Sequence, residues 1–443
     1  MFLLGRSAVL RALAALWLVA LCLCAAAKPP ERKGRDTLVI DGVWKFLTDP
    51  ENKGERQDWT QAAPAQAKEI TVPGLWNTSA APGYSGVAWY WREFEAPAGW
   101  KGQTVRLRFE AAADKARVWL NGLPLGEHTD GATPFEFNVT GTVRTGAKNT
   151  LAVRVEGDAR TGAGLWQGVL LMAHDEAYIA DAVAQGDALG HLNAAVTLRN
   201  TSAKTGDATL DGRVVAANAP TRDILRTHQE LHVTPGRNLA TLLLTLRGKR
   251  LQRWSPQTPF LYRLQLVFHQ EADILDLLEV TFGFRQFDWK ESAITLNGQP
   301  LQLAAIAPRP SQPIVIATTE DAVRTRDSLR RLKEKGTNLI YLEAPPPVLL
   351  RLADEEGLLV VEGPRQDAKA GEEMRELILR DRSHPCILAW NLGDVDTSTA
   401  KSARQLDSTR FLLVGPAAAP RLWPPGQNEP SSAALPPGFL PSP

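Results

Sequence analysis

Thirteen tryptophans stand against five tyrosines in this 443-residue chain, and an indole offers an apolar face on which a sugar ring can stack. Trp76, Trp89, Trp91, Trp119 and Trp166 all fall in its N-terminal part. Most are expected to fill a core, whereas Trp76, beside the loop of residues 77–86, is expected to be exposed and to contact carbohydrate. Glu343, Asp394 and Asp396 lie near the ends of expected strands, where a carboxyl group can exchange a proton with a bound molecule. Asp394 leads these three as a catalytic candidate, the commoner role for each being a solvated loop carboxylate. His228 and His232 are four residues apart, but a metal site needs a third ligand and an element to aim the rings, so no metal is expected. His384, next to Pro385, is expected to make a structural hydrogen bond, and Cys386 to be a buried thiol without the partner that would make it a nucleophile. Gly162, Gly164 and Gly168 lack the spacing and the strand-turn-helix context of a dinucleotide site, so no cofactor is expected.

Positioning such groups takes a sizeable scaffold, and the chain is long enough for roughly three domains. Hydrophobic residues make up 44% and charged residues 22%, the balance of a globular protein. Fifty basic and 49 acidic residues nearly cancel, which leaves no electrostatic footprint for nucleic acid. Residues 1–27 read as a cleaved export signal: Arg6 and Arg11 are basic, Ala12 to Cys24 is apolar, and Ala25-Ala26-Ala27 supplies small residues for cleavage. The expected location is secreted or periplasmic, with no membrane span after cleavage. Only Cys386 would then remain, so no intramolecular disulfide is expected.

Period-two stretches such as Thr104 to Phe109 and Asn149 to Val155 predict half-buried strands, and Asn121-Gly122 predicts a hairpin. Residues 36–177 are therefore expected to form a jelly-roll sandwich. Residues 178–284 repeat the logic with shorter strands, at Ala194–Leu198, Ala208–Val215, Leu231–Val233, Leu239–Leu246 and Tyr262–Phe268, and are expected to form an immunoglobulin-like sandwich. In residues 285–415 the period changes. Helices at Glu320–Lys335, Pro346–Glu356, about Lys369–Arg380 and about Thr399–Leu406 alternate with strands at Asn338–Leu342, Leu358–Val361, Cys386–Asn391 and Phe411–Val414. Such alternation begins a (β/α) TIM-type barrel, but a complete one needs roughly 250 residues, so half a barrel is expected. The proline-rich residues 416–443 are expected to be disordered.

Several strings together resemble glycoside hydrolase family 2, the family of β-galactosidases, β-glucuronidases and β-mannosidases. They are Asp41-Gly42-Val43-Trp44-Lys45-Phe46, Val72-Pro73-Gly74-Leu75-Trp76, Ala88-Trp89-Tyr90-Trp91-Arg92, Val118-Trp119-Leu120-Asn121-Gly122 and Gly164-Leu165-Trp166-Gln167-Gly168-Val169. Phe282-Gly283-Phe284-Arg285 and Leu296-Asn297-Gly298-Gln299-Pro300 look like the family's entry into its barrel, and the resemblance runs from about Leu38 to Arg410.

The resemblance implies retaining glycoside cleavage, which needs two carboxyl groups about 5 to 5.5 Å apart. It also implies where the acid/base glutamate should be: after an asparagine, following an Arg-Asp-x-x-His-Pro string. Here Arg380-Asp381-Arg382-Ser383-His384-Pro385 is intact and Asn391-Leu392-Gly393 follows in register, but Asp394 and Val395 come next and valine holds the acid/base position. The family's nucleophile would lie on a later strand, beyond the point where this sequence turns to proline. At two other strand ends, Ala305-Ile306-Ala307-Pro308-Arg309-Pro310, Tyr341 and Ala344 replace the family's polar lining. The expectation is an exported family 2-like protein, inactive alone and at most carbohydrate-binding. Two rivals are a split glycosidase whose second half-barrel comes from a separate chain, and an adhesion module; the open half-barrel is expected to be covered by a partner, a homo-oligomer mate or the proline-rich tail.

Overall fold

Alternating apolar and polar residues build two antiparallel sandwiches in the computed structural model, which describes residues 34–291, 293–306, 313–365, 370–416, 420–427, 435–437, 439 and 440. The export signal at residues 1–27 and the run from Ala307 to Pro310 lie outside the described residues. In the first sandwich a six-stranded sheet has the order Lys68–Val72, Gly42–Thr48, Gly86–Glu95, Lys148–Gly157, Lys115–Leu120 and Leu123–His128. It faces a four-stranded sheet of Asp36–Val39, Val169–His174, Thr104–Phe109 and Phe135–Asn138. Val105, Leu107 and Phe109 turn inward, as their period requires, onto Phe46, Tyr90 and Val153. Arg106 and Arg108, between them, turn outward and pair with Glu136. Asn121 and Gly122 both have positive φ, 55° and 81°, the conformation a two-residue hairpin turn needs.

The six-stranded sheet has apolar residues on both faces. On the side away from the sandwich core, Trp59, Trp89, Trp91 and Trp119 form a second cluster, with the Trp89 and Trp119 rings stacked at 5.2 Å. Trp89 Nε1 donates to Asp49 Oδ2 and Trp91 Nε1 to the Trp59 carbonyl, so these indoles are structural.

The second sandwich packs a sheet of Ala177–Gly186, His191–Asn200 and Gly236–Thr245 against one of Ala219–Val233, Gly206–Ala216, Tyr262–Gln270 and Asp273–Phe282. Its core holds Val196, Leu198, Leu210, Val214, Leu242, Leu264 and Phe268. The expected short strand Leu231–Val233 is the end of a 15-residue edge strand, Ala219–Val233. Most of that strand is too polar to show the apolar alternation on which the expectation rested.

After the hairpin Phe287–Lys290 and Ala293–Leu296, the chain alternates strand and helix. Five parallel strands run in chain order, Ala305–Ile306, Leu339–Glu343, Leu359–Gly363, Ile387–Gly393 and Phe411–Val414. Helices Thr319–Glu334, Pro347–Glu356, Ala370–Asp381 and Thr397–Leu406 connect them. Local chemistry sets the helix ends: Thr318 and Asp321 make a capping box, and Gly357 ends a helix at φ 72°. Among the described residues this sheet is open and does not close into a barrel.

Within residues 416–443, expected to be disordered, some of the described residues are ordered against the parallel sheet. Arg421–Trp423 adds antiparallel to Phe411–Val414, and Leu422, Trp423 and Phe439 are buried in the core of the parallel sheet. Tyr341 Oη donates to the Phe439 carbonyl at 2.9 Å, and Trp423 Nε1 to the Gln427 carbonyl at 2.9 Å. An open sheet would otherwise leave an edge unpaired and an apolar face bare, and three apolar anchors between the prolines cover part of both.

Candidate functional site

Neighbouring parallel strands keep their side chains in register, so the sheet's two faces can be assigned. Leu342, Glu362, Trp390 and Leu412 share one row, and Tyr341, Val361 and Ala389 share the next. The first row faces the helices, since Arg380 and Asp381 approach Glu362 and Asp407 accepts from Trp390 Nε1. The second row faces Phe439 through Tyr341. Glu343, Gly363 and Asn391 end the second face at the carboxyl ends of the strands.

Asp394 follows the Ile387–Gly393 strand and is exposed. Val395 is half-buried, with its hydrocarbon packed on the core. Asp396 is committed to a helix start: its Oδ1 accepts from the Thr399 backbone N–H at 2.7 Å and from Ser398 Oγ at 3.2 Å. Those bonds, with the Thr399 backbone N–H foremost, hold its carboxyl below the ordinary aspartate value. Glu343 is exposed. None of the three sits in the water-poor pocket that readies a carboxyl group as a general acid.

Trp76 is also corrected, because its side chain has 0% exposure. The short turn Trp76–Thr78 directs the indole back into the first sandwich, against Phe46, Tyr84 and Tyr90, and Nε1 donates to the Tyr84 carbonyl at 2.9 Å. No face is left for a sugar. The histidines pair with separate carboxylates, His228 with Asp211 at 2.8 Å and His232 with Asp207 at 2.7 Å. Among the described residues no group of three or more side chains is arranged to hold a metal ion. His384 Nδ1 bonds Asp354 Oδ2; burial opposes its charging, but the Asp354 carboxylate prevails and holds its pKa above the ordinary value. Cys386 is fully buried, and burial pushes its thiol well up, which keeps it unreactive.

The structure assembles a different site. A cavity of about 650 Å³ lies between the first sandwich and the carboxyl end of the Leu359–Gly363 strand, lined by Asp114, Asp130, Asp158, Arg160, Arg365, Glu372 and Glu373 among others. Arg365 bridges its two sides: Nη2 donates to the Thr161 carbonyl at 2.9 Å, and its backbone N–H donates to Glu373 Oε1 at 3.1 Å. Trp166 braces one wall, its Nε1 donating to the Gly131 carbonyl at 2.8 Å. Glu373 is 1% exposed and its Oε2 has no hydrogen-bond partner among the described residues. Burial, helped by the Asp130 charge, pushes its carboxyl up to about 7. Burial likewise raises Asp114.

This cleft offers a donor in Arg365, acceptor oxygens in Asp114 and Glu372, and in Glu373 a group that near pH 7 can be either. Such a mixture suits a molecule with several hydroxyl groups. Neither Trp76 nor Asp394 lines it. A glutamate inside the apolar run Leu359-Val360-Val361-Glu362 is an anomaly visible in the sequence, and Glu362 is indeed fully buried. Burial first, and then the Asp381 charge, raise its pKa well above the ordinary value. Glu373, in a helical first turn beside Glu372, carries no such signal.

Residues 77–182 match the sugar binding domain of glycosyl hydrolases family 2, and residues 177–285 match a second domain described as glycosyl hydrolases family 2. A β-galactosidase of Thermoanaerobacter pseudethanolicus is 25% identical over 399 residues, which is 81% of this chain and 52% of that protein. A putative β-glucuronidase of Formosa agariphila is 25% identical over 365 residues, 74% of this chain and 34% of that protein. This chain thus spans about half or less of the length of these relatives. A family 2 glycosyl hydrolase from Bacteroides cellulosilyticus has a similar fold, with a TM-score of 0.75 and 22% identity over 86% of this chain and 57% of that one.

Proposed function

Because the chain belongs to glycoside hydrolase family 2, we propose that it is a carbohydrate-binding protein that does not itself cleave glycosides, with its ligand held in the cleft around Arg365 and Glu373. Val395 carries this reading: a half-buried hydrocarbon stands at the strand end where the family's pattern calls for the acid/base glutamate. The neighbouring Asp394 is exposed, and a misplacement of about 1 Å can cost 10²-fold in rate. The five parallel strands in chain order, with helices between them, support reading the third part as an arc of a TIM-type barrel. Residues 1–27 support export to a secreted or periplasmic location.

In this reading Arg365 donates to ring or hydroxyl oxygens, Asp114 accepts, and Glu373 donates while protonated. Purified chain should release no product from aryl β-galactosides, β-glucuronides or β-mannosides above a no-protein control, yet bind a subset of an immobilised glycan array. Glu373→Gln should keep that binding and Glu373→Ala weaken it by about tenfold, roughly the worth of one good hydrogen bond. Turnover by the isolated chain would overturn the inactivity, and a silent array would overturn the binding.

A split glycosidase is favoured by one observation. The two-residue strand Ala305–Ile306 pairs on one side only, with Leu339–Glu343, among the described residues, so this edge is open to a partner chain or a second copy. Hydrolysis that rises with protein concentration, or on adding a second polypeptide, would favour it.

A further inference from the structure

A second cavity, of about 700 Å³, opens at the other end of the parallel sheet, where the second sandwich meets the beginnings of the Ile387–Gly393 and Phe411–Val414 strands. Two guanidinium groups are embedded in its wall. Arg285 and Arg410 are 6% and 1% exposed, and both grip one turn: Arg285 Nε donates to the Pro385 carbonyl at 3.1 Å and Arg410 Nη2 to the His384 carbonyl at 2.7 Å.

A guanidinium stays protonated inside a protein, so each buried charge needs a counter-charge in place. Arg410 has Asp407 at 2.6 Å. That carboxylate is heavily shared, accepting also from Thr409, Gln185 Nε2 and Trp390 Nε1. Arg285 has no carboxylate at ion-pair distance among the described residues; it has carbonyl oxygens and the face of Phe287, 4.5 Å from its guanidinium carbon. Arg410 Nε is buried and donates to no described group. Burial first, and then the Arg410 charge, push the Arg285 pKa down against the opposing charges of Asp407 and Asp354.

We infer that this cavity binds an oxyanion of the phosphate or sulfate type, free or as the ester of a small hydroxylated molecule, with Arg285 and Arg410 supplying the counter-charge. Such an anion can accept from guanidinium N–H groups that the turn and Asp407 do not engage, and removal from water strengthens the attraction. The cavity is larger than one oxyanion, and its lip carries Ser408 and Gln286, which can bond the remainder of an ester. Asp187 and Asp288 also line it and oppose an anion on their side, which directs the charge toward the arginine end.

The test uses the full chain and lip variants, since Arg285 and Arg410 themselves hold the fold. Sodium phosphate, sodium sulfate, sodium chloride and glucose 6-phosphate are titrated at constant ionic strength by calorimetry, with thermal denaturation in parallel. Phosphate and sulfate are expected to bind and raise the Tm, and chloride is not. Ser408→Asp and Gln286→Glu, which place a like charge at the lip, should each weaken binding by about tenfold; Ser408→Asp should leave the anion-free Tm unchanged, whereas Gln286→Glu, which sets a second carboxylate beside Asp288, should lower it. Tighter binding of glucose 6-phosphate than of phosphate identifies the ester as the better ligand, and the reverse identifies the free ion; either supports the site. Absence of binding at about 10 mM phosphate, or binding that both variants leave intact, overturns it. Glycan binding does not enter this outcome, so the two proposals fail separately.

Discussion

The Arg365 backbone N–H donates to Glu373 Oε1 at 3.1 Å, while Glu373 Oε2, equally buried, has no partner among the described residues. One oxygen is satisfied by the chain and the other is left without a partner among the described residues, in a side chain that lines the cleft. This asymmetry makes Glu373 the most informative side chain for both stability and binding.

Its pKa gives a signed pH dependence. Folding raises the carboxyl from 4.5 to about 7, so between those values the folded chain holds a proton that the unfolded chain has released. The contribution is fully present below pH 4.5 and is lost as pH rises through about 7. Urea denaturation of the wild type and Glu373→Gln across this range should show the wild type losing up to about 3 kcal/mol relative to the variant. Parallel curves would show that Glu373 is ionised in the fold at all these pH values.

Trp76→Ala should act on the core. The indole is wholly enclosed by Phe46, Tyr84 and Tyr90, and truncating a buried tryptophan costs about 3–5 kcal/mol. The midpoint of denaturation should fall accordingly. If stability is untouched while glycan binding disappears, the indole acts at the surface.

Asp394→Asn should change little. The side chain is exposed, and substitutions of this sort stay within about 0.5 kcal/mol. Glycan binding should also be unchanged, because Asp394 does not line the cleft. A loss of binding would move the site to the end of the Ile387–Gly393 strand.

Phe439→Ala and Tyr341→Phe probe the proline-rich segment. Phe439 is fully buried in the core of the parallel sheet and its carbonyl accepts from Tyr341. The first variant should lose about 3–5 kcal/mol and the second about 1 kcal/mol, measured by chemical denaturation. Normal stability in the first variant would mean that this segment is dispensable.

The sequence by itself determined what short-range physics controls. Alternation at Val105, Leu107 and Phe109 marked one buried face, Asn121-Gly122 marked a turn needing positive φ, and Gly357 marked a helix end, because each depends on residues only a few positions apart. The strings around Trp44, Trp119 and Trp166 carried the family, and Val395 the doubt about catalysis. Tertiary structure alone decided that Trp76 turns inward, that Leu422, Trp423 and Phe439 bind a proline-rich segment to an open sheet, and that Arg365 and Glu373 meet the loops of Asp114 and Asp158. Burial, counter-charge and cleft formation are set by surfaces far apart in the chain, and no local pattern of residues encodes which of those surfaces will touch.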